Sequence, residues 1–212
     1  MPLRLSLQRF ALLTLVLLVI LGPGCGAEPD APAADALRRS FPEQAQALLD
    51  GEPAFVASAE GFSLRPIEAP GQPGVSAGSL RAELPRQAER GLRIEAISPG
   101  GSFSIQVREQ GARGEIGAAG SALTHARPEG TAFWTAAAEG LEEWLLLDAG
   151  AARAGRVVAR WDIEGGALAQ QGEAVEISDE AGLPRIRVTA PAAWAPGGRA
   201  VAATLAVKGA SI

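Results

Sequence analysis

The sequence predicts an all-β body, an antiparallel β-sandwich of one or two small β domains, behind an N-terminal signal helix and one short further helix. Three observations predict it. From residue 54 onward, apolar residues recur with period two, the pattern of strands with one buried and one wet face. Gly, Pro and Asp clusters punctuate these runs at roughly 8–12-residue spacing, as in sandwiches and barrels. The longest apolar run, at residues 10–21, stands apart at the N-terminus.

The first element is that run. Residues 1–9 carry Arg4 and Arg9 and no acid, and FALLTLVLLVIL follows. A helix over twelve residues at about 1.5 Å rise spans about 18 Å, well short of the roughly 30 Å hydrocarbon core. It therefore reads as a signal-peptide segment, 1–24, rather than a permanent transmembrane helix. Gly22, Pro23 and Gly24 end it, and Cys25, the single cysteine of the chain, comes next. A lone cysteine excludes an intrachain disulfide.

This arrangement resembles a bacterial lipoprotein leader, with Gly24 directly before Cys25 and Leu21 one place earlier than the usual pattern. The resemblance implies cleavage before Cys25 and acylation of its thiol. Two or three acyl chains make a stable anchor where one is marginal. Cleavage at Ala31-Pro32-Ala33 and retention of the leader as an anchor are the other readings. Residues 25–39 are then the lipidated cysteine and a flexible Pro/Ala-rich tether.

Residues 40–51 predict a short helix, with Ser40 and Glu43 as a capping box, Pro42 in the first turn and Gly51 at the stop. The β region is 52–212. Leu92, Ile94 and Ala96 alternate with polar residues, as do Phe103, Ile105 and Val107; Val157, Ala159, Trp161 and Ile163; Val175 and Ile177; Ile186 and Val188. Val201, Ala203, Leu205 and Val207 predict a last strand over 200–208, an unprotected edge or one that pairs outside this chain, unless an earlier strand such as 54–58 closes the sheet beside it. Turns are expected at 71–74, 98–101, 165–166, 178–182 and 196–198. The small-residue stretch 149–155 is a possible division of the β region.

Residues 121–208 contain Phe133-Trp134, then Gly140-Leu141-Glu142-Glu143-Trp144 and an apolar strand, then Gly-punctuated strands to APGGRAVAATLAV. This order resembles the β-rich N-terminal domain of large secreted or lipid-anchored proteins of high-GC bacteria. Those proteins often carry integrin-like FG-GAP repeats, which residues 1–212 lack. The resemblance implies a β fold and names no chemistry.

Composition narrows the function. The chain has 212 residues, 47% hydrophobic and 20% charged, with formal charge −5. Arg4 and Arg9 contribute +2 to that figure, so the part beyond the leader carries −7. An acidic body argues against nucleic acid, which needs clustered Lys and Arg. His125 is the only histidine, so a Ser-His-Asp arrangement would have to use it and a multi-histidine metal centre is ruled out. On its strand His125 shares a face with Leu123 and Arg127, and it reads as a half-exposed strand residue. No nucleophile elbow, phosphate loop, Cys-x-x-Cys or calcium loop is present. The sequence therefore points to no catalytic residue, metal or cofactor.

Paired carboxylates need no local motif, and Glu142 with Glu143, Asp162 with Glu164, and Asp179 with Glu180 are the candidates. Glu142 and Glu143 must face opposite ways in a strand. Asp162 and Glu164 read as a wet face, and Asp179 with Glu180 as a turn. Among the four tryptophans, Trp161 is in phase with the core, Trp134 and Trp144 are placed to pair across a sheet, and Trp194 is the candidate ligand contact in a loop. The expected protein is an exported, lipid-anchored envelope component facing the periplasm, outer membrane or cell surface. Its β-domain is structural or adhesive and not enzymatic, with the membrane and an envelope protein or polysaccharide as partners. A carbohydrate- or peptidoglycan-binding module is the alternative, and a carboxylate-dependent hydrolase the second.

Overall fold

The computed structural model describes residues 14–21, 31–69, 78–137, 140–153 and 155–212. Cys25, the Gly22–Gly24 stop and the turn expected at 71–74 lie outside the described residues. The chain runs β1 (Thr14–Leu21), α1 (Ala31–Ser40), α2 (Pro42–Leu49), β2 (Phe55–Ala57), β3 (Gly61–Leu64) and β4 (Ile67–Ala69). Then come β5 (Gly78–Pro85), β6 (Leu92–Ser98), β7 (Gly101–Glu109), β8 (Arg113–Ala119), β9 (Ala122–Arg127), β10 (Gly130–Ala137) and β11 (Gly140–Leu147). The last are β12 (Trp161–Glu164), β13 (Ala167–Gln171), β14 (Ala174–Ser178), β15 (Pro184–Ala195) and β16 (Arg199–Val201).

Alternation becomes two facing sheets. One has the order β13-β14-β15-β1-β11-β10-β9-β8, with β16 on β15; the other has β12-β7-β6-β5-β3-β2, with β4 on β5. The all-β fold is as expected. Between the sheets lies a core that includes Leu80, Ile94, Ile105, Trp134, Leu145 and Ile177. Phe103 and Trp161 are buried there, as their phase predicts. This core runs from Phe55 to Leu205 without a break at 149–155, so that stretch does not divide two cores. Fully burying one such side chain contributes about 1.5–3 kcal/mol.

A third layer covers the outside of the first sheet. Leu37 and Phe41 pack with Ala45, Leu48 and Leu49 of α2 on Phe133, Trp144 and Leu146. The tether expected over 25–39 is therefore helical from Ala31, and Ser40 ends α1 instead of capping α2. Arg38 and Arg39 in the last turn of α1 suit the negative end of its dipole. Gly120 makes the docking possible. With φ +64° it turns under α2, and a Cβ there would stand 2.2 Å from the Leu49 carbonyl oxygen. Ser121 then donates its N–H to Leu49 O at 2.9 Å and its hydroxyl to Leu48 O at 2.9 Å, closing the helix end.

Three expectations are corrected. Residues 14–21 form a strand and not a helix, parallel to β11 on one side and β15 on the other. A short unbroken apolar run is equally the signature of a central parallel strand, and Val16, Val19 and Ile20 favour it. The strand expected from Val157 begins only at Trp161, and Val157 is 66% exposed. The carbonyls of Val158 and Arg160 are taken by the Arg127 guanidinium and the Gln110 N–H. The final strand is short: β16 pairs with β15 alone among the described residues. Residues beyond it reach Gln170 through the Val207 N–H and close on Trp161 through Ile212.

A candidate site buried between the sheets

In β7 the phase that buries Phe103, Ile105 and Val107 also carries Glu109 inward. In β11 the phase of Leu141 and Leu145 carries Glu143 inward, and in β9 that of Leu123 carries His125 and Arg127. The ladder pairs Trp134 with both Glu143 and Leu123, and Ala132 with His125, which sets these side chains in adjoining rows. Glu109 approaches from the opposite sheet. The four residues are sealed: Glu109 is 7% exposed, His125 4%, Arg127 3% and Glu143 fully buried. His125 is thus a core residue, against the half-exposed position expected.

Arg127 Nε donates to Glu109 Oε1 at 2.5 Å and its Nη2 to Val158 O at 2.7 Å. His125 Nε2 lies 3.3 Å from Glu109 Oε2. Among the described residues, both oxygens of Glu143, with His125 Nδ1, Arg127 Nη1 and the Trp161 indole nitrogen, are buried without a hydrogen-bond partner, and the Trp161 indole stands close to Glu143. A cavity of about 20 Å³ adjoins Glu109, His125, Trp134, Glu143 and Trp161. That is room for one water or one ion.

The two glutamates differ electrostatically. Burial raises the Glu143 carboxyl well above its ordinary range and the charge of Glu109 raises it further, with Arg127 only partly offsetting both. Burial acts on Glu109 in the same sense. There the hydrogen bond to His125 and the charge and hydrogen bond of Arg127 outweigh it and hold the carboxyl below its ordinary range. Such a site can hold a proton, a water or an ion, and it is far too small for an organic substrate.

The sequence did not single out Glu109 or Arg127. The usable signal is a charged residue in phase with an apolar face, as Glu109 is with Val107 and Glu143 with Leu145. None of the three carboxylate pairs considered earlier converges on one site, and Glu143 alone of their members enters this cluster. Glu142 turns outward and accepts the Trp144 indole N–H at 3.1 Å. Asp162 accepts from Gln110 at 3.0 Å and from Ser211 at 2.7 Å, and Glu164 faces Arg108 at 3.5 Å. Asp179 closes its turn by accepting the N–H groups of Ala181 and Leu183, each at 3.0 Å.

Trp194 is not in a loop. It sits near the end of β15, half-buried, with its ring stacked on Trp144 at 6.5 Å and 10°, beside the helical layer. Trp134 therefore does not pair with Trp144, which lies across from Phe133. A larger cleft of about 760 Å³ opens on the second sheet, bordered by Phe62, Arg86, Arg90, Arg93 and Gln106. No helix among the described residues is long and apolar enough to cross a membrane. No protein-family model, curated protein or solved structure matches the chain.

Proposed function

We propose an exported cell-envelope protein, held to a membrane by acyl chains on Cys25, whose β-sandwich serves a structural or adhesive role without catalysis. The observation that carries this reading is the lone Cys25 directly behind the apolar run 10–21. The resemblance of residues 121–208 to a domain of large secreted proteins points the same way. So does the sealing of the one acid–histidine cluster among the described residues, which leaves no room for an organic substrate.

Processing before Cys25 withdraws β1. The partners it leaves, Glu142 to Leu147 on β11 and Arg187 to Trp194 on β15, then face each other as open strand edges. Such edges accept an extended strand from another chain. The occupant of the slot is an apolar extended segment of an envelope partner, of the same character as residues 14–21.

Metabolic acyl labelling of the wild type and Cys25→Ser tests the anchor. Label on the wild type alone is expected; equal labelling, or none in either, overturns it. A solubilised peptide bearing residues 14–21 tests the slot, and failure of the 25–212 chain to bind it removes the strand-donor part. A second reading, a polysaccharide-binding module, draws on the cleft beside Arg86, Arg90 and Arg93. Pull-down on peptidoglycan that is lost in Arg93→Ala would favour it.

A further inference from the structure

We infer that Glu109, His125 and Glu143 form a closed site for one divalent transition-metal ion, zinc by its donor set, that cross-links the two sheets. One ligand atom from each residue lies within 4.8 Å of the others. One imidazole nitrogen with carboxylate oxygens is a donor set for zinc. The separation of Glu109 Oε2 from His125 Nε2, 3.3 Å, matches the edge of a tetrahedron whose metal–ligand bonds are about 2.0–2.1 Å. Glu143 closes toward that edge from β11.

Two independent observations point to an occupant. The cavity of about 20 Å³ is lined by these three residues together with mostly apolar neighbours such as Leu92 and Trp161, and it is large enough for an ion. Both Glu143 oxygens are buried and make no hydrogen bond among the described residues, and a dry carboxylate needs a proton or a cation beside it. Arg127 fills that role only in part: its Nε is committed to Glu109 Oε1 and its Nη2 to Val158 O, and its Nη1 makes no hydrogen bond to Glu143. It also acts as a positioning residue that holds one oxygen of Glu109 and leaves the other turned toward His125. The ion neutralises the two carboxylates, and the second oxygen of Glu143 or a water completes its shell.

Glu109 lies on β7, whereas His125 and Glu143 lie on β9 and β11. The ion therefore ties one sheet to the other, much as a disulfide would in a chain with cysteines to spare. Its enclosure makes it a structural centre, since a catalytic one keeps a position open to substrate. The ligands come from three distant strands, so no local spacing announces them.

The test uses the full chain, stripped with chelator, with Zn²⁺ as the probe. Elemental analysis should find one ion per chain after reloading, and the melting temperature should rise by several degrees and fall back with chelator. Co²⁺ should give the visible absorption of a four-coordinate site. Glu143→Gln, which keeps the shape, should fold and lose at least tenfold in Zn²⁺ affinity. His125→Gln should do the same, and if it fails to fold, the cobalt spectrum and Glu143→Gln decide. A folded wild type with no stoichiometric metal and no thermal response to Zn²⁺ or Co²⁺ overturns the inference. A wild-type response in Glu143→Gln overturns it as well. In either case the cavity holds a water and Glu143 a proton.

Discussion

Strands β7 and β11 hold inner places in the two sheets and read quite differently. In β7 the core residues Phe103, Ile105 and Val107 alternate with Ser104, Gln106 and Arg108, because the outer face of its sheet meets water. In β11 that alternation disappears: Leu141, Leu145 and Leu147 face the inter-sheet core while Trp144 and Leu146 lie under α1 and α2. Cover on the second face removes the need for polar residues there. The same contrast governs one inward glutamate on each strand. Glu109 is hydrogen-bonded to the Arg127 guanidinium and faces the His125 ring, whereas Glu143, beside Glu109 and the Trp161 indole, makes no hydrogen bond among the described residues.

The largest expected loss falls at one of the two glutamates. Glu109→Gln leaves the Arg127 charge buried without its counter-charge, which costs about 3–5 kcal/mol. Glu143→Gln in chelator-treated protein at pH 7 should be neutral or stabilising. Equilibrium unfolding in urea measures both, and equal losses would show that the two acids are not differently served. Phe133→Ala, under the helices, and Phe103→Ala, in the inter-sheet core, should each cost about 3–5 kcal/mol. A loss below about 1 kcal/mol for Phe133 alone would mean that α1 and α2 do not truly cover the sheet.

The pH dependence sharpens the same contrast. Glu143 titrates above its ordinary value of 4.5 in the fold, facing Glu109, Arg127 and His125. Its contribution is full below about that pH and is lost as pH rises through the raised value. The metal-free wild type should then lose up to about 1.4 kcal/mol per pH unit in that window, and Glu143→Gln should abolish the slope. Glu109 titrates below 4.5, so its contribution is present above that pH and is lost on acidification. Denaturant titrations at several pH values read both signs. A local loss is expected in Gly120→Ala. At φ +64° and 2.2 Å from Leu49 O it should cost more than about 1 kcal/mol and loosen α2 selectively, visible as faster amide exchange at Ala45 and Leu48.

Where one face is wet, pattern alone placed the residues. Phe103, Trp161 and Ile163 entered the core, Asp162 and Glu164 stayed outside, and Asp179 closed a turn. Where a second cover is present, pattern was blind. The run 14–21 fits a helix or a central strand equally well by hydrophobicity, and only the company of β11 and β15 makes it a strand. His125 looked half-exposed because its own strand shows nothing of Glu109, 16 residues away in the chain, or of Glu143 on β11.

By itself the sequence determined the β class, the strand phases in the sheet that faces water, and the isolation of Cys25 behind an apolar run. These follow from local alternation and composition, which are properties of neighbouring residues. Only the tertiary structure decided the helical cover over Phe133 and Trp144, the stacking of Trp194, and the convergence of Glu109, His125, Arg127 and Glu143. Those depend on which strands meet across a sheet or between sheets, and long-range pairing leaves no periodic trace in any one segment.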